Sequence, residues 1–291
     1  MNERPGPSPY DDRYFVTRDG LRLHYRDYLG LAGKPSLLCL HGLTRNARDF
    51  AAFADRYSPR FRVLVLDFRG RGASNYDPVP ARYNPLAYAT DALELLDLLG
   101  VSQAVFVGTS LGGLVTMSVA ATAPDRIAAS ILNDVGPELD RVGLDRILAY
   151  LDETADFASW DEAAAALSRR HQPAFPNYAD DDWLAMARRN CREARGRILF
   201  DYDPAIVEPF RTTGPVPKID LWPLFAALAR KPLLIVRGAL SELLSAATAE
   251  RMRQAAPGAH FVEVPDVGHA PMLDEPEAIA AIDDFLDKLP D

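Results

Sequence analysis

Residues 104–114 read AVFVGTSLGGL, and this stretch predicts the fold of the rest of the chain. Its first four residues are apolar and predict a buried strand, and the small residues after Ser110 suit a closely packed helix. Gly108, Ser110 and Gly112 fit the pattern G-x-S-x-G, in which a tight strand-to-helix turn lifts the serine hydroxyl clear of the sheet edge. The two glycines are needed because neighbouring chain passes too close for side chains. We therefore predict a nucleophilic serine at position 110.

On both sides of this turn, short apolar runs alternate with helical patterns. The runs show little polar alternation, which is typical of parallel strands covered on both faces. The predicted strands are 14–18 and 21–29, joined by the hairpin turn Asp19-Gly20, and then 37–40, 62–68, 104–107, 127–135, 232–237 and 261–264. This order predicts an α/β fold with a mostly parallel sheet and helices on both faces.

The alternation of strands and helices stops between residues 137 and 223. Amphipathic pieces near 141–154, 160–170 and 180–195 replace it, and aromatic residues and prolines separate them. We interpret residues 137–223 as an inserted helical cap on a core made of residues 1–136 and 224–291. Trp183 and Trp222 are candidates to line a substrate pocket from the cap, although ordinary packing is the favoured role for each.

Charge and composition exclude several classes of partner. The chain has 291 residues and a formal net charge of −9, so it would repel the phosphates of nucleic acids and acidic lipids. The two cysteines fall in separate predicted elements, and we expect free thiols. No apolar run approaches the roughly 18 residues of a membrane span, and the first ten residues lack the apolar segment of a secretion signal. We expect a cytoplasmic protein without nucleic-acid or membrane partners.

A nucleophilic serine needs a base to remove its proton and an acid to hold the base. His269 lies in VPDVGHAP at 264–271, where turn residues follow the carboxyl end of a predicted strand. His41 also follows a strand, but the adjacent Gly42 indicates that it shapes a turn. The other three histidines fall within a strand, in the cap and at the start of a strand. We predict that His269 is the base.

Two carboxylates are candidates for the acid. Glu242 follows the predicted strand 232–237 and lies between the serine and the histidine in chain order, as in Ser-Asp/Glu-His hydrolases. Asp134 closes the strand that comes after the serine's helix, and it is the alternative. We expect Glu242 to be the acid. The backbone N–H groups of Leu43 and Leu111 are expected to form an oxyanion hole.

Five motifs together resemble the α/β-hydrolase superfamily, in particular its capped serine hydrolases of esterase and meta-cleavage-product type. They are HGL at 41–43, DFRGRGAS at 67–74, GTSLGG at 108–113, RGALSE at 237–242 and VGHAP at 267–271. The resemblance implies an eight-stranded sheet, a cap that roofs the pocket and no cofactor, and we predict no metal site. Relatives usually carry Asp where this chain has Glu242.

The resemblance also implies an activity. Haloalkane dehalogenases and epoxide hydrolases of this fold place Asp at the turn, whereas Ser110 suits attack on an acyl carbon. We expect hydrolysis of a carboxylic ester or related acyl bond of a small, largely apolar substrate through an acyl-enzyme. One alternative is hydrolysis of a carbon–carbon bond in a ring-cleavage dienoate, whose carboxylate would need a cationic partner in the pocket. The other is a non-catalytic ligand-binding receptor on the same fold.

Overall fold

The structure is a computed structural model that describes residues 9–31, 33–151, 156–209 and 220–289. The strands, in chain order, are β1 (Asp11–Val16), β2 (Arg22–Tyr28), β3 (Ser36–Leu40), β4 (Val63–Leu66), β5 (Ala104–Thr109), β6 (Ile127–Asn133), β7 (Cys191–Ala194), β8 (Arg197–Phe200), β9 (Leu233–Gly238) and β10 (His260–Val264). One eight-stranded sheet has the order β1–β2–β4–β3–β5–β6–β9–β10. Its neighbours pair in parallel except at β1–β2 and β2–β4. The predicted fold class is confirmed.

The helices are α1 (Ala51–Tyr57), α2 (Pro85–Leu98), α3 (Leu111–Thr122), α4 (Arg141–Leu151), α5 (Trp160–His171), α6 (Asp180–Asn190), α7 (Trp222–Leu228), α8 (Ala246–Ala255) and α9 (Pro276–Asp287). Helix α2 shows a start that its sequence dictates. The Asn84 side chain accepts hydrogen bonds from the N–H groups of Leu86 and Ala87, and Pro85 fills the first helical position. Within the described residues, no helix combines the length and apolar character that crossing a membrane requires.

Strand β3 illustrates how the sheet is covered on both faces. Leu38 and Leu40 belong to the apolar cluster that contains residues of α2 and α3, whereas Leu37 and Cys39 belong to the cluster that contains residues of α1 and α9. All four side chains are fully buried. Burying one leucine side chain contributes roughly 1.5–3 kcal/mol, so both faces stabilise the sheet. The loops after the parallel strands are therefore held on a rigid edge.

The segment predicted as a cap contains α4, α5 and α6, as its amphipathic pieces suggested. It also contains two strands that the sequence analysis did not predict, because β7 and β8 pair as an antiparallel hairpin with Cys191 opposite Phe200. These strands have four residues each, and Arg192, Glu193 and Arg197 are exposed on them. Such short strands with charged side chains lack the apolar run that identifies a buried strand.

Backbone hydrogen bonds join the hairpin end of this segment to the core. The N–H of Gly72 donates to the carbonyl of Asp201, and the N–H of Asp203 donates to the carbonyl of Gly70. Helix α7, which begins at Trp222, packs against the core helix α3. We propose that residues 137–223 form the cap, with the last two of them already in this core-packed helix.

Candidate active site

Ser110 occupies the turn between β5 and α3, with φ of 53° and ψ of −114°. A positive φ is unfavourable for a residue with a side chain, so the surrounding chain must hold the turn in place. A methyl group added at Gly112 would lie 1.9 Å from the carbonyl oxygen of Leu40, and one at Gly108 would lie 2.5 Å from that of Gly112. Both glycines are therefore required by close backbone approach, as the sequence predicts.

His269 lies in the loop after β10 and contacts the serine. Its Nε2 is 2.9 Å from Oγ of Ser110, although the two residues are 159 positions apart in the chain. The loop is tied on both sides. The Asn133 side-chain amide donates to the carbonyl of Pro271 at 2.7 Å, and the N–H of Gly268 donates to the carbonyl of Ala174 at 2.7 Å. The structure thus brings the predicted nucleophile and the predicted base within hydrogen-bonding distance.

Asp134 is the carboxylate that meets the histidine. Its Oδ2 lies 2.8 Å from Nδ1 of His269 and accepts a 2.6 Å hydrogen bond from the hydroxyl of Ser241. Its Oδ1 accepts from the N–H of Gly238 at 2.9 Å. The carboxylate is fully buried, so these three partners stabilise its charge in place of water. With Asp134 as acceptor, Nδ1 of His269 carries the proton and Nε2 faces Ser110 as a proton acceptor.

The expectation that Glu242 is the acid is wrong. Its carboxylate pairs with the guanidinium of Arg146, with nitrogen–oxygen distances of 2.6 and 3.0 Å, while Asp134 already occupies Nδ1 of His269. The physical reason lies in the turn after β9. Ser241 directs its hydroxyl to Asp134 and accepts hydrogen bonds from the N–H groups of residues 243 and 244, so Glu242 points toward α4.

The predicted oxyanion donors lie beside the serine. Leu43 and Leu111 both line the cavity that contains Ser110 and His269. Among the hydrogen bonds of the described residues, none uses the backbone N–H of Leu43 or Leu111. Two such N–H groups on residues that line the same cavity suit an oxygen that develops negative charge, and Leu111 is also the first residue of α3.

His41 supports the turn that carries Leu43. Its Nδ1–H donates to the carbonyl of Gly42 at 2.8 Å, and its Nε2 accepts from the N–H of Phe68 at 3.1 Å. Complete burial lowers the pKa of His41 to about 4. The neutral ring therefore satisfies both hydrogen bonds, in keeping with the structural role expected from the sequence.

A cavity of about 160 Å³ lies above the serine. Its apolar lining comes from both sides, with Leu111, Leu114 and Leu240 on the core and Leu144, Ile147 and Leu148 on α4. Among the described residues that line it, neither tryptophan predicted for this role occurs. Trp183 is buried against the rings of Phe175 and Tyr178, and the indole N–H of Trp222 donates to Glu138. The prediction that these tryptophans line the pocket is wrong.

The cavity also contains cationic residues that the sequence analysis missed. Arg45 comes from the loop after β3, Arg146 from α4 and Arg170 from α5. Burial and then the positive charges of Arg45 and Arg170 hold the pKa of the neighbouring His171 well below its ordinary value. In sequence these arginines resemble any others in the chain. Only the position of Arg45, four residues after His41 in a loop predicted to border the site, could have indicated one of them.

Metal ligation has no candidate residues in the described ranges. There, no group of three or more histidine, cysteine, aspartate or glutamate side chains lies close enough together to hold a metal ion. The arrangement of hydroxyl, imidazole and buried carboxylate instead suits nucleophilic attack by an oxygen on an acyl carbon.

Comparison with known proteins gives the same family by sequence and by structure. Residues 37–282 match the alpha/beta hydrolase family. A crystal structure of an alpha/beta hydrolase from Novosphingobium aromaticivorans superposes with a TM-score of 0.92. It is 48% identical to this chain and covers 97% of it, and the alignment includes 99% of that protein.

The names of two further relatives state a substrate. A 3-hydroxybutyrate-oligomer hydrolase from Cupriavidus necator is 33% identical, over 91% of this chain and 92% of that protein. A 2-(acetamidomethylene)succinate hydrolase from Mesorhizobium japonicum is 29% identical, over 87% of this chain and 88% of that protein.

Proposed function

The chain belongs to the alpha/beta hydrolase family, and we propose that it is a serine hydrolase that cleaves a carboxylic ester of a small molecule through an acyl-enzyme. One observation carries the proposal. Ser110, His269 and Asp134 form a continuous chain of hydrogen bonds at one end of the apolar cavity. That arrangement has the geometry that converts a serine hydroxyl into a nucleophile.

In the first half of the reaction, Nε2 of His269 accepts the proton of Ser110 as Oγ attacks the ester carbonyl. Asp134 accepts the Nδ1–H hydrogen bond and stabilises the imidazolium that forms. The imidazolium then donates its proton to the departing alcohol oxygen, and the acyl group remains on Oγ. In the second half, His269 accepts a proton from water as the water oxygen attacks the acyl carbon. The imidazolium then returns that proton to Oγ of Ser110 as the bond between Oγ and the acyl carbon breaks, and the free carboxylic acid leaves.

The N–H groups of Leu43 and Leu111 hold the carbonyl oxygen as it gains negative charge. One such donor contributes on the order of 3 kcal/mol to lowering the barrier. Helix α3 adds the positive end of its dipole at Leu111. The position of Ser110 at the helix start therefore serves both attack and charge stabilisation.

An ester is the favoured bond because of the chemistry of a relative. Units of 3-hydroxybutyrate join through carboxylic esters, and the relative from Cupriavidus necator is named for hydrolysis of such oligomers. Hydrolysis of a carbon–carbon bond in a ring-cleavage dienoate is the second candidate, because cationic residues in the cavity could hold the dienoate carboxylate. A receptor role would not require all three hydrogen-bonded groups.

The test is a pair of assays on the purified protein. We expect hydrolysis of 4-nitrophenyl acetate and butyrate, little turnover of a ring-cleavage dienoate, and loss of ester hydrolysis in Ser110→Ala by at least about 10⁴-fold. Turnover of the dienoate alone would replace the ester assignment. Absence of turnover on every substrate, with no labelling by a fluorophosphonate, would favour a receptor.

A further inference from the structure

Arg45 lies beside the proposed nucleophile. A methyl group placed on Gly42 would be 3.4 Å from Cγ of Arg45 and 3.8 Å from Cβ of Ser110. The stem of the arginine and the serine therefore flank the same glycine. Arg45 also lines the main cavity and follows Leu43, a proposed oxyanion donor, by two positions. A charged side chain that lines the same cavity as Ser110 is placed to influence which substrates bind.

The charge of Arg45 is only weakly compensated by the described residues around it. Its nearest described carboxylate is Asp49, at 3.6 Å from Nε, which is too long for a hydrogen bond. Its Nη1 is buried and makes no hydrogen bond to any described residue. A buried guanidinium nitrogen without an acceptor is costly. The Arg45 side chain as a whole is 15% exposed and lines the cavity, so an acceptor that a ligand brings there would stabilise the guanidinium.

Arg146 provides the contrast within the same cavity. Its guanidinium meets the carboxylate of Glu242 with distances of 2.6 and 3.0 Å, which neutralises its charge. Both partners are part of the lining, so this pair contributes little net charge to the cavity. Glu242, which was expected to accept a hydrogen bond from His269, instead neutralises the charge of Arg146. The difference between Arg146 and Arg45 marks where an anion would bind.

Other groups converge on the region of Arg45. Arg170 and His171 line both the main cavity and a small adjoining cavity of about 10 Å³, and Arg45 lines both as well. The guanidinium of Arg170 rests on the rings of Tyr150 and Phe200, with 4.6 and 4.8 Å to the ring centres. Aromatic faces hold a guanidinium in a fixed position. Three arginines line the main cavity against two carboxylates, those of Asp49 and Glu242, so the lining carries net positive charge although the whole chain carries a net charge of −9.

We propose that Arg45 binds a carboxylate of the substrate, so that the protein prefers esters bearing a free carboxylate over neutral esters. The inference rests on the proposed esterase function and names its substrate class. Apolar residues of the cavity hold the carbon chain, Ser110 attacks the ester carbonyl, and the guanidinium holds the anionic end. Short esters of hydroxy acids and half-esters of dicarboxylic acids both have this form.

Two matched substrate pairs test the preference, because the carboxylate could lie on either side of the ester. The first pair is 3-(butyryloxy)butyrate and its neutral amide, in which the group lies on the alcohol side. The second is mono-4-nitrophenyl adipate and 4-nitrophenyl methyl adipate, in which it lies on the acyl side. Neutral 4-nitrophenyl butyrate is measured in parallel to report the esterase activity itself.

The variants are Arg45→Gln, Arg45→Lys and, as a control of equal charge change, Arg169→Gln, whose side chain is exposed and outside the cavity lining. We expect the wild type to prefer the carboxylate member of at least one pair by about 10- to 100-fold in kcat/KM, the effect of one charge-assisted contact. Arg45→Gln should lose this preference, because kcat/KM falls far more for the carboxylate member of the pair than for its neutral partner. Arg45→Lys should retain part of it, and Arg169→Gln all of it.

A preference that survives in Arg45→Gln, or no preference in either pair, would overturn the proposal. A second test does not need turnover. The affinity for adipate is measured by calorimetry for Ser110→Ala and for the double variant Ser110→Ala/Arg45→Gln, and the double variant should bind more weakly. Equal binding by the two proteins would also contradict the proposal. Failure of the esterase function is seen separately, as absent turnover of 4-nitrophenyl butyrate by the wild type.

Discussion

The cavity has two walls, and they differ in how their side chains are positioned. On the core side, Ser110 and Asp134 directly follow β5 and β6, which are neighbours in the sheet. On the cap side, Arg146 and Arg170 lie on α4 and α5, outside the sheet. The carboxyl ends of parallel strands lie along one edge of the sheet, so residues that directly follow these strands are expected to lie near one another. The cap helices follow no such rule.

The difference between the two walls indicates which features of the site are constrained by the fold. The core wall is fixed by backbone contacts that tolerate no added atom, such as the approach of Gly112 to the carbonyl of Leu40. The cap wall is instead formed by helix side chains such as Leu144, Ile147 and Leu148. Under the proposed function, we therefore assign the reaction chemistry to the first wall, and substrate choice to the second wall and to Arg45.

The largest expected effect separates the two carboxylates. Asp134→Asn should lower kcat on 4-nitrophenyl butyrate by about 10³- to 10⁴-fold, because the amide cannot stabilise the imidazolium of His269. Glu242→Gln should change kcat by less than about threefold, because its carboxylate contacts Arg146 and not the imidazole. Circular dichroism serves as the folding control for both proteins. A larger loss in Glu242→Gln than in Asp134→Asn would reverse the assignment of the acid.

A second prediction compares a glycine of each region. Gly112→Ala should lower the free energy of unfolding by about 3 kcal/mol or more, because the new methyl group meets the carbonyl of Leu40 at 1.9 Å. Gly196→Ala in the β7–β8 hairpin should cost only about 1–2 kcal/mol, since φ is 73° there but nothing lies within 4 Å. Urea denaturation measures both. Equal losses would mean that the core turn is no more constrained than the cap hairpin.

The third prediction concerns pH and the buried His41. Its folded pKa is about 4 because of burial, whereas the unfolded residue titrates near 6.5. As pH falls from 6.5 toward 4 the unfolded chain takes up a proton that the folded chain does not, so stability is lost across this window. The loss from this residue is up to about 3 kcal/mol. The neutral form is fully stabilising above pH 6.5.

The measurement is the free energy of unfolding at several pH values for the wild type and His41→Gln. The variant should be less stable at pH 7.5, because it loses the paired hydrogen bonds to Gly42 and Phe68, but its stability should fall less between pH 6.5 and 4. Parallel pH profiles for the two proteins would show that His41 does not titrate in this way.

The smallest effect is expected for a cap tryptophan that the sequence analysis singled out. Trp222→Phe should leave kcat/KM on 4-nitrophenyl butyrate within about twofold, because the indole donates to Glu138 outside the cavity lining. A matched change in the lining, Leu144→Ala, should change how KM depends on the length of the acyl chain of the ester. A tenfold change in Trp222→Phe would place this residue in the substrate path.

The sequence was sufficient to predict the turn at Ser110, because backbone segments that approach closely require glycine. It was also sufficient to predict His269, because turn residues around this histidine follow the end of a predicted strand. It was not sufficient to choose the acid. Asp134 and Glu242 both follow strands, and only the direction of the turn at Ser241 decides which carboxylate reaches the imidazole. The β7–β8 hairpin was missed because its strands are short and partly charged. Arg45 was missed because burial without an acceptor is a property of the folded chain alone.

The central claim is that Asp134 and His269 activate Ser110, and mass spectrometry after brief treatment with a fluorophosphonate tests it most directly. We predict a single adduct on the peptide containing Ser110, formed at the same rate in Glu242→Gln and at least about 100-fold more slowly in Asp134→Asn. An adduct on another residue, or a rate that falls in Glu242→Gln and not in Asp134→Asn, would contradict the account.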